Sequence, residues 1–306
     1  MNALGGCAVF TLLLAMLRDW TLLVLVAVIV GAYLLLIWMI SKRAVDASWR
    51  RLLSAVWSEP SGPELFGLVR FRTGPAHAFM EQYNAGKEDA EKLTLTHMMT
   101  KAWAKGLATG LTMKLAGGFV SSYPTTDVSC MVSLDGGQDL SYVTIEHCEG
   151  KPLCEVQAEC SKRYKSVREG EERKSHRKAT AVFALIPSCL GAVLMEVGSW
   201  ITVQLGMSVP MLSVKRHAFG CGMITNVGKG GVDAAFPALP QVIRVTAMLA
   251  ISKLLSEAIV VDGHIQAVEC LQGGITFDLR FLTKDQCVRA VKAFKAAMEN
   301  PKEYLV

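Results

Sequence analysis

The chain has 306 residues, about half of them apolar and 19% charged, with a formal net charge of +5. This length suffices for one large domain or two small ones with a well-buried core. The excess cations cluster beside one hydrophobic run, and neither basic-aromatic interleaving nor zinc-knuckle spacing occurs, so the sequence gives no indication of nucleic-acid binding. The nine cysteines contain no CxxC pair, which favours reduced thiols, mostly in the core, over a disulfide framework or a metal site.

Residues 21–40 form an uncharged apolar run, TLLVLVAVIVGAYLLLIWMI. At about 1.5 Å per residue such a run matches the roughly 30 Å of a bilayer core, so it predicts a transmembrane helix. Its downstream flank is strongly basic and its upstream flank is not, which predicts a single-pass protein with the C-terminal part on the cytoplasmic side. The shorter run at residues 5–17 is interpreted as an interfacial lead-in, with a second span as the alternative.

Residues 41–64 form a basic stretch that ends in SEPSGP. Apolar residues recur at helical spacing from Val45 to Val56, which predicts a short amphipathic helix on the membrane surface, followed by a linker. The expected organisation is therefore a hydrophobic lead-in and transmembrane helix over 1–40, a juxtamembrane helix and linker over 41–64, and one domain over 65–306.

Beyond residue 64, short strands alternate with longer helices, which indicates an α/β or α+β domain. The stretch 65–72 predicts a strand, and 94–111 predicts a helix with Thr96 as its N-cap. Two runs of period two at 126–134 and 140–148, separated by DGGQ, predict two further strands. A charged helix is predicted to follow them.

The apolar stretch 179–205 is interrupted by Pro187 and contains Glu196. We expect a pair of buried helices there, with a second membrane crossing as the alternative. Between Val245 and Phe277 the pattern predicts short strands, and a final helix is predicted over Lys284–Glu299, with its apolar residues on one face.

Three stretches together carry a family resemblance. They are DGGQDLSYVTIEHCEGKPLCEVQAE at 135–159, FGCGMITNVGKGGVDAAFPAL at 219–239, and VVDGHIQAVECLQGGITFDLRFL at 260–282 with the helix that follows. In this order they resemble the catalytic domain of the dihydrolipoamide acyltransferases, the core subunits of 2-oxoacid dehydrogenase complexes. The resemblance covers 65–306 and implies an α/β two-layer sandwich like that of chloramphenicol acetyltransferase, with helices packed on a mixed sheet.

Acyl transfer from coenzyme A needs a base to deprotonate the acceptor and a donor for the oxyanion of the tetrahedral intermediate. In the family a histidine within Asp-His-Arg-x-x-Asp-Gly is the base, and a serine or threonine hydroxyl of the MVTNVG-type strand is the donor. The two groups come from adjacent subunits of a trimer. The resemblance therefore implies that this chain forms a homotrimer.

The resemblance assigns the oxyanion donor to Thr225 and retains Asp278 and Arg280 of the second motif. However, Leu279 stands at the position of the histidine, and Thr283 at that of the second aspartate. The turn glycine of the motif is replaced as well, by a lysine. A leucine cannot exchange a proton, so the usual base is missing.

Other interpretations of these residues stay open. Thr225 is equally well explained as an ordinary strand residue, and Asp278 with Arg280 as a structural ion pair or cap. The six histidines are each expected to be structural or solvated. Among them His217 is the candidate for a substitute base, and His264 is expected in an exposed turn.

The leading functional hypothesis is a membrane-anchored pseudoenzyme that binds acyl-CoA or an active acyltransferase subunit. One alternative is an active acyl-CoA-dependent transferase that uses Thr225 and a non-standard base, and another is a structural subunit of a membrane complex. No tightly bound cofactor or metal is expected. Coenzyme A or acyl-CoA is the candidate ligand, and the first 64 residues leave no room for a lipoyl domain or a peripheral-subunit-binding domain.

Overall fold

The computed structural model describes residues 20–41, 64–116, 119–123, 125–134, 139–170, 186, 188–209, 215–240, 242–261 and 263–305. The predicted lead-in at 5–17 and nearly all of the predicted juxtamembrane segment at 41–64 lie outside these residues.

The elements follow one another along the chain as alternating helices and strands. The helices are α1 (Trp20–Ser41), α2 (Gly74–Asn84), α3 (Leu95–Ala108), α4 (Leu153–Glu169), α5 (Ser188–Ser199), α6 (Lys284–Glu299) and α7 (Pro301–Tyr304). The strands are β1 (Glu64–Arg72), β2 (Met113–Ala116), β3 (Phe119–Ser122), β4 (Val128–Leu134), β5 (Asp139–Ile145), β6 (Gly222–Asn226), β7 (Ala247–Val261) and β8 (His264–Asp278).

The main sheet has six strands in the order β1-β8-β7-β6-β4-β5. Strand β6 runs parallel to both of its neighbours, β4 and β7, and the remaining pairs are antiparallel. Strands β2 and β3 form a separate two-stranded sheet. The predicted two-layer architecture, with helices packed on a mixed sheet, is therefore confirmed.

The helices α2, α3, α4 and α6 pack on one face of the sheet, which we call the helix face. Trp103 of α3 and Phe71 of β1 both meet the ring of Phe294 of α6 edge-on, at centroid distances of 5.9 and 5.5 Å. All three rings are almost completely buried. Since a fully buried side chain of this size contributes about 1.5–3 kcal/mol, these contacts account for much of the stability of the layer.

The opposite face of the sheet is covered by the segment between β6 and β7, and we call it the open face. Met223, Leu239, Val245 and Met248 form a small buried cluster there. Gly274 of β8 lies so close to this segment that a Cβ atom would overlap the carbonyl oxygen of residue 235. The segment between β6 and β7 therefore lies directly on the sheet.

The prediction of a transmembrane helix is wrong. A span needs about 20 consecutive apolar residues in one helix, and no helix within the described residues is both long and apolar enough to cross a membrane. The single-pass topology and the cytoplasmic placement that depended on this span are withdrawn with it.

The stretch 179–205 also differs from its prediction in the part that the structure describes. The part after Pro187 is helical, as α5 and a π-helical turn at Trp200–Gln204. The first helix of the predicted pair, before Pro187, lies outside the described residues. Leu194 and Trp200 are about half exposed, whereas Ser199 and Thr202 are buried. The small and polar side of this helix faces the domain, which the apolar composition of the stretch did not indicate.

Two further boundaries were predicted incorrectly. Helix α3 begins at Leu95, and its N-cap is Thr94, whose hydroxyl accepts a hydrogen bond from the backbone N–H of His97, so Thr96 is not the cap. The short strands predicted between Val245 and Phe277 are parts of two 15-residue strands, β7 and β8, which form one hairpin.

Candidate functional site

Strand β8 ends in a compact ion pair. The carboxylate of Asp278, whose side chain is only 6% exposed, accepts hydrogen bonds from the backbone N–H of Arg280 at 2.9 Å and from its Nε and Nη2 at 3.0 and 2.6 Å. The Asp278 N–H donates in turn to the carbonyl of Thr246 on the neighbouring chain segment. Hydrogen bonding to Asp278 raises the pKa of Arg280, against the opposing effect of burial. The two retained residues of the motif therefore hold each other in place.

Leu279 lies between these two residues, in the turn that joins β8 to α6. Its side chain is half-buried and packs against the core of the helix face. Of the two flanking residues, Asp278 has a carboxylate that already accepts hydrogen bonds, and Arg280 has a guanidinium that donates to that carboxylate. The position of the expected base therefore holds no group that exchanges a proton near neutral pH.

Thr283 caps the helix that follows. Its hydroxyl accepts from the N–H of Gln286, and the Gln286 side chain accepts from the Thr283 N–H at 2.8 Å. This reciprocal capping box satisfies two backbone donors at the start of α6. The Gln286 amide also donates to the carbonyl of Gly110 at 2.9 Å and ties α6 to the end of α3. Thr283 thus has a structural role at the position of the missing aspartate.

Thr225 lies on β6, one residue before the end of that strand. In the strand register Gly222, Ala247 and Phe277 stand side by side. Thr225 follows this row by three residues in one direction, and Leu279 lies two residues beyond it in the other. With about 3.3 Å per residue and 4.8 Å between strands, the two positions are roughly 15–20 Å apart. One chain therefore does not bring the predicted donor and the predicted base position together.

His217 lies beyond the start of β6, at the end of the sheet away from Thr225. It has a positive φ of 48°, and its N–H donates to the carbonyl of Thr202 at 3.3 Å. Its ring meets that of Tyr123 edge-on at 5.2 Å. The structure therefore does not place His217 next to Thr225 as a base. His264, at the first position of β8, is exposed as predicted.

Further charges surround the Leu279 end of the sheet. Arg244 donates from Nη2 to Glu196 at 2.6 Å and from Nε to the hydroxyl of Ser199 at 3.0 Å. Glu196 and Glu64 add smaller contributions to the raised pKa of Arg280. Sequence spacing did not predict this cluster, since its members come from β1, α5, the segment before β7 and the β8 turn.

The structure also reveals a polar residue near Thr225 that the sequence did not single out. Ser252 lies at a β-bulge of β7, where the register shifts between Ile251 and Leu254, and it is only 3% exposed. Gln272 of β8, also buried, accepts a hydrogen bond from Nε of Arg70 at 3.2 Å. A bulge depends on how two strands pair, so no local sequence signal would have identified Ser252.

The described residues also bear on metal and thiol chemistry. Within the part of the chain that the structure describes, no cluster of three or more His, Cys, Asp and Glu side chains is arranged to hold a metal ion. Of the described cysteines, Cys154 is exposed and the others are buried, and all of them are free thiols. The prediction that most cysteines are small core residues is confirmed for these residues.

Comparison with known proteins places this geometry in context. Residues 213–306 match the family model of the 2-oxoacid dehydrogenases acyltransferase (catalytic domain). That segment contains β6, β7, β8 and α6, with Thr225 and the Asp278–Arg280 pair. A search of curated protein sequences finds no match.

Among solved structures, the chain resembles a probable dihydrolipoamide acetyltransferase from Listeria monocytogenes at 15% identity and a TM-score of 0.56, covering 83% of this chain and 90% of that one. It resembles the cubic core of a pyruvate dehydrogenase multienzyme complex at 18% identity and a TM-score of 0.58, covering 83% of this chain and 88% of that one. It also resembles the dihydrolipoamide acetyltransferase of Azotobacter vinelandii at 17% identity and a TM-score of 0.58, covering 88% of this chain and 91% of that one. In that enzyme the catalytic roles of a serine, a histidine and an asparagine have been investigated. At these identities the comparison confirms the acyltransferase fold.

Proposed function

We propose that this chain is a divergent relative of the 2-oxoacid dehydrogenase acyltransferases that binds acyl-CoA without the ordinary acid-base step. The observation that carries the proposal is Leu279, at the position of the family's base, inside a junction whose other contacts are in place. Asp278 and Arg280 remain paired, and α6 begins with a complete capping box at Thr283. The replacements at Leu279, Thr283 and Lys284 are therefore compatible with an ordered junction.

The chemical consequence follows from the pKa of the acceptor. A free thiol has a pKa near 8.5 and is mostly protonated at neutral pH. A positioned general base typically contributes about a hundredfold to ten-thousandfold to the rate. Without a base, Thr225 can still donate a hydrogen bond to a bound carbonyl. Ligand binding is therefore expected to be retained although turnover is lost.

The arrangement of the strands supports a homotrimer as the assembly in which such a site forms. Because Thr225 and Leu279 lie roughly 15–20 Å apart in one chain, a site that contains both positions needs Thr225 of one subunit next to Leu279 of another. The exposed rings of Phe66 and Phe236, whose centroids are 5.7 Å apart on the open face, supply apolar surface for such a contact. An active acyltransferase subunit with the same fold is a candidate for the neighbouring position.

An active transferase is the second candidate, and the retained Thr225 favours it. In that case the base comes from another subunit or from the acceptor, since His217 lies at the other end of β6. The two candidates differ in turnover and agree in binding, and a structural subunit differs from both because it binds no acyl-CoA.

The test compares the full chain with Thr225→Ala and with the triple variant Leu279→His/Thr283→Asp/Lys284→Gly. Acetyl-CoA binding is measured by calorimetry, and release of free coenzyme A is followed with dihydrolipoamide and other thiol and amine acceptors. The proposal expects the unmodified protein to bind acetyl-CoA with turnover no higher than Thr225→Ala. Turnover clearly above that control supports the active transferase, and absence of binding supports the structural subunit. Sedimentation analysis tests the trimer separately.

A further inference from the structure

The open face of the sheet carries a row of polar side chains that crosses three strands. At the bulge of β7, Ser252 and Lys253 both stand opposite Gln272 of β8, since Ile251 pairs with Gly273 and Leu254 pairs with Leu271. Gln272 in turn pairs with Arg70 of β1. Side chains alternate between the faces along each strand, so Gln272, two residues from Gly274, belongs to the open face.

Thr225 belongs to the same face and lies next to this row. It pairs with Ala250 of β7, which pairs with Gly274 of β8. Ser252 follows Ala250 by two residues, so strand geometry places it about 8 Å from Thr225, one strand across and one side-chain position along. The small residues Ala250 and Gly274 lie beside both hydroxyls and leave the sheet surface flat there.

The hydroxyl of Ser252 has an unusual environment. It is fully buried, and its Oγ makes no hydrogen bond within the described residues. The turn after β6 packs against the backbone of Ser252, because a Cβ at Gly228 would overlap the Ser252 carbonyl oxygen. A buried hydroxyl without a partner is unfavourable and calls for an explanation in a native structure. Bulges are frequent next to active sites, where they redirect a side chain.

We propose that Ser252 and Gln272, together with Thr225, form a subsite that binds the carbonyl groups of the acyl-pantetheine arm of acyl-CoA. This inference rests on the proposed acyl-CoA binding and specifies which part of the ligand is recognised. Ser252 supplies a hydroxyl donor that a carbonyl oxygen of the arm accepts, and Thr225 supplies the second donor.

The charge of the surroundings favours a neutral group over an anion. Both cations of this row are paired. Arg70 is shared between Gln272 and the carboxylate of Glu257, which lies 3.7 Å from its Nη1, and Lys253 pairs with Asp233 at 2.6 Å. The adjoining positions of the open face are small or apolar, with Leu68 next to Gly274. The thioester and amide carbonyls of a neutral arm fit this combination of hydroxyl donors and apolar surface.

The test uses Ser252→Ala, with Thr276→Val as the matched control. Thr276 is also a fully buried hydroxyl on the open face of β8 without a partner among the described residues. It lies two side-chain rows from Ser252, opposite Met248. Since both substitutions remove an unsatisfied hydroxyl, both are expected to keep or raise the melting temperature. Only Ser252→Ala is expected to weaken acetyl-CoA binding, by about fivefold to tenfold for one lost hydrogen bond.

The measurement is calorimetric titration of the full chain with acetyl-CoA and with adenosine 3′,5′-bisphosphate, which lacks the arm. A loss of affinity confined to Ser252→Ala and to acetyl-CoA supports the subsite. Equal acetyl-CoA affinity in the unmodified protein and Ser252→Ala overturns the subsite alone, as does an equal loss for both ligands or an equal loss in Thr276→Val. Absence of acetyl-CoA binding by the unmodified protein overturns the proposed function and the subsite together.

Discussion

Arg280 encloses the buried carboxylate of Asp278 with its backbone N–H and its guanidinium, although a single residue, Leu279, separates the two in the chain. The pair is asymmetric, because the Asp278 side chain is 6% exposed and that of Arg280 is 42% exposed. If its partner is removed, the exposed Arg280 side chain can be solvated by water. The buried Asp278 carboxylate cannot be solvated in this way, so the pair has a structural role that does not depend on a base at position 279.

Removal of Arg280 should therefore cost more than neutralisation of Asp278. In Arg280→Met the buried carboxylate keeps a single backbone donor, and we expect a loss of about 2–3 kcal/mol in the free energy of unfolding. This is below the value for a fully buried pair because water reaches the arginine side. In Asp278→Asn the amide oxygen still accepts a hydrogen bond from the Arg280 N–H, and we expect a loss of about 1 kcal/mol in the free energy of unfolding. Urea unfolding of both variants measures the difference, and equal losses would refute the asymmetry.

Thr283 should behave as a helix cap. Thr283→Ala removes the acceptor for the Gln286 N–H, and we expect a loss of about 1 kcal/mol in stability. Thr283→Asp keeps a capping oxygen and places a negative charge at the start of α6, so its stability should stay within about 0.5 kcal/mol of the unmodified protein. Thermal unfolding distinguishes the two.

The outcome for Thr283 also bears on the catalytic test. If Thr283→Asp is as stable as expected, the triple variant that restores the family motif is not compromised by this substitution. A large loss in Thr283→Asp would show that the surroundings of α6 no longer accept the family's aspartate.

The close contact between β8 and the segment that covers the open face predicts an effect at Gly274. A Cβ at this position overlaps the carbonyl oxygen of Ala235 and lies 3.2 Å from the ring of Phe236. Gly274→Ala must displace that segment, and we expect a loss of about 1–3 kcal/mol. Gly67→Ala is the control, because a Cβ there meets only the Phe277 ring at 3.5 Å, an ordinary contact.

Limited proteolysis complements urea unfolding for this pair of variants. Cleavage between residues 227 and 246 should become faster in Gly274→Ala and stay unchanged in Gly67→Ala. Equal stability and equal cleavage in both variants would contradict the packing of this segment on β8.

Sequence reasoning predicted the parts of the molecule that depend on local pattern. The amphipathic period of α6 gave its bounds, and the motif around Asp278 and Arg280 identified the β8 junction. The position of Thr225 on a short strand was also predicted correctly. These features are encoded within a few consecutive residues.

The remaining features depend on contacts between distant segments. The bulge at Ser252 arises from the pairing of β7 with β8, and the charges near Arg280 come from several elements. The N-cap of α3 was misplaced by two residues because Thr94 and Thr96 are both suitable cap residues, and only the reciprocal contact with His97 distinguishes them. The transmembrane prediction relied on the length and composition of one apolar run and on the charges beside it.

His97 should make the stability of the protein depend on pH. Its side chain is 5% exposed, and burial lowers its pKa to about 4. Its Nδ1 accepts a hydrogen bond from the Thr94 N–H at 3.3 Å, which requires an unprotonated nitrogen. The unfolded chain, with a histidine pKa near 6.5, binds the proton more readily than the folded one. The contribution of His97 is therefore fully present above about pH 6.5 and is lost as the pH falls towards 4.

The magnitude follows from the difference between the two pKa values. At 1.36 kcal/mol per pKa unit, protonation of His97 lowers the free energy of unfolding by about 3 kcal/mol between pH 7 and pH 4. His97→Gln is the matched variant, because a glutamine at the third helical position also accepts from the N-cap N–H and does not titrate. We expect the variant to lose less stability than the unmodified protein over this pH range. Urea unfolding at a series of pH values measures the difference. Parallel pH profiles for the two proteins would show that protonation of His97 does not contribute to acid unfolding.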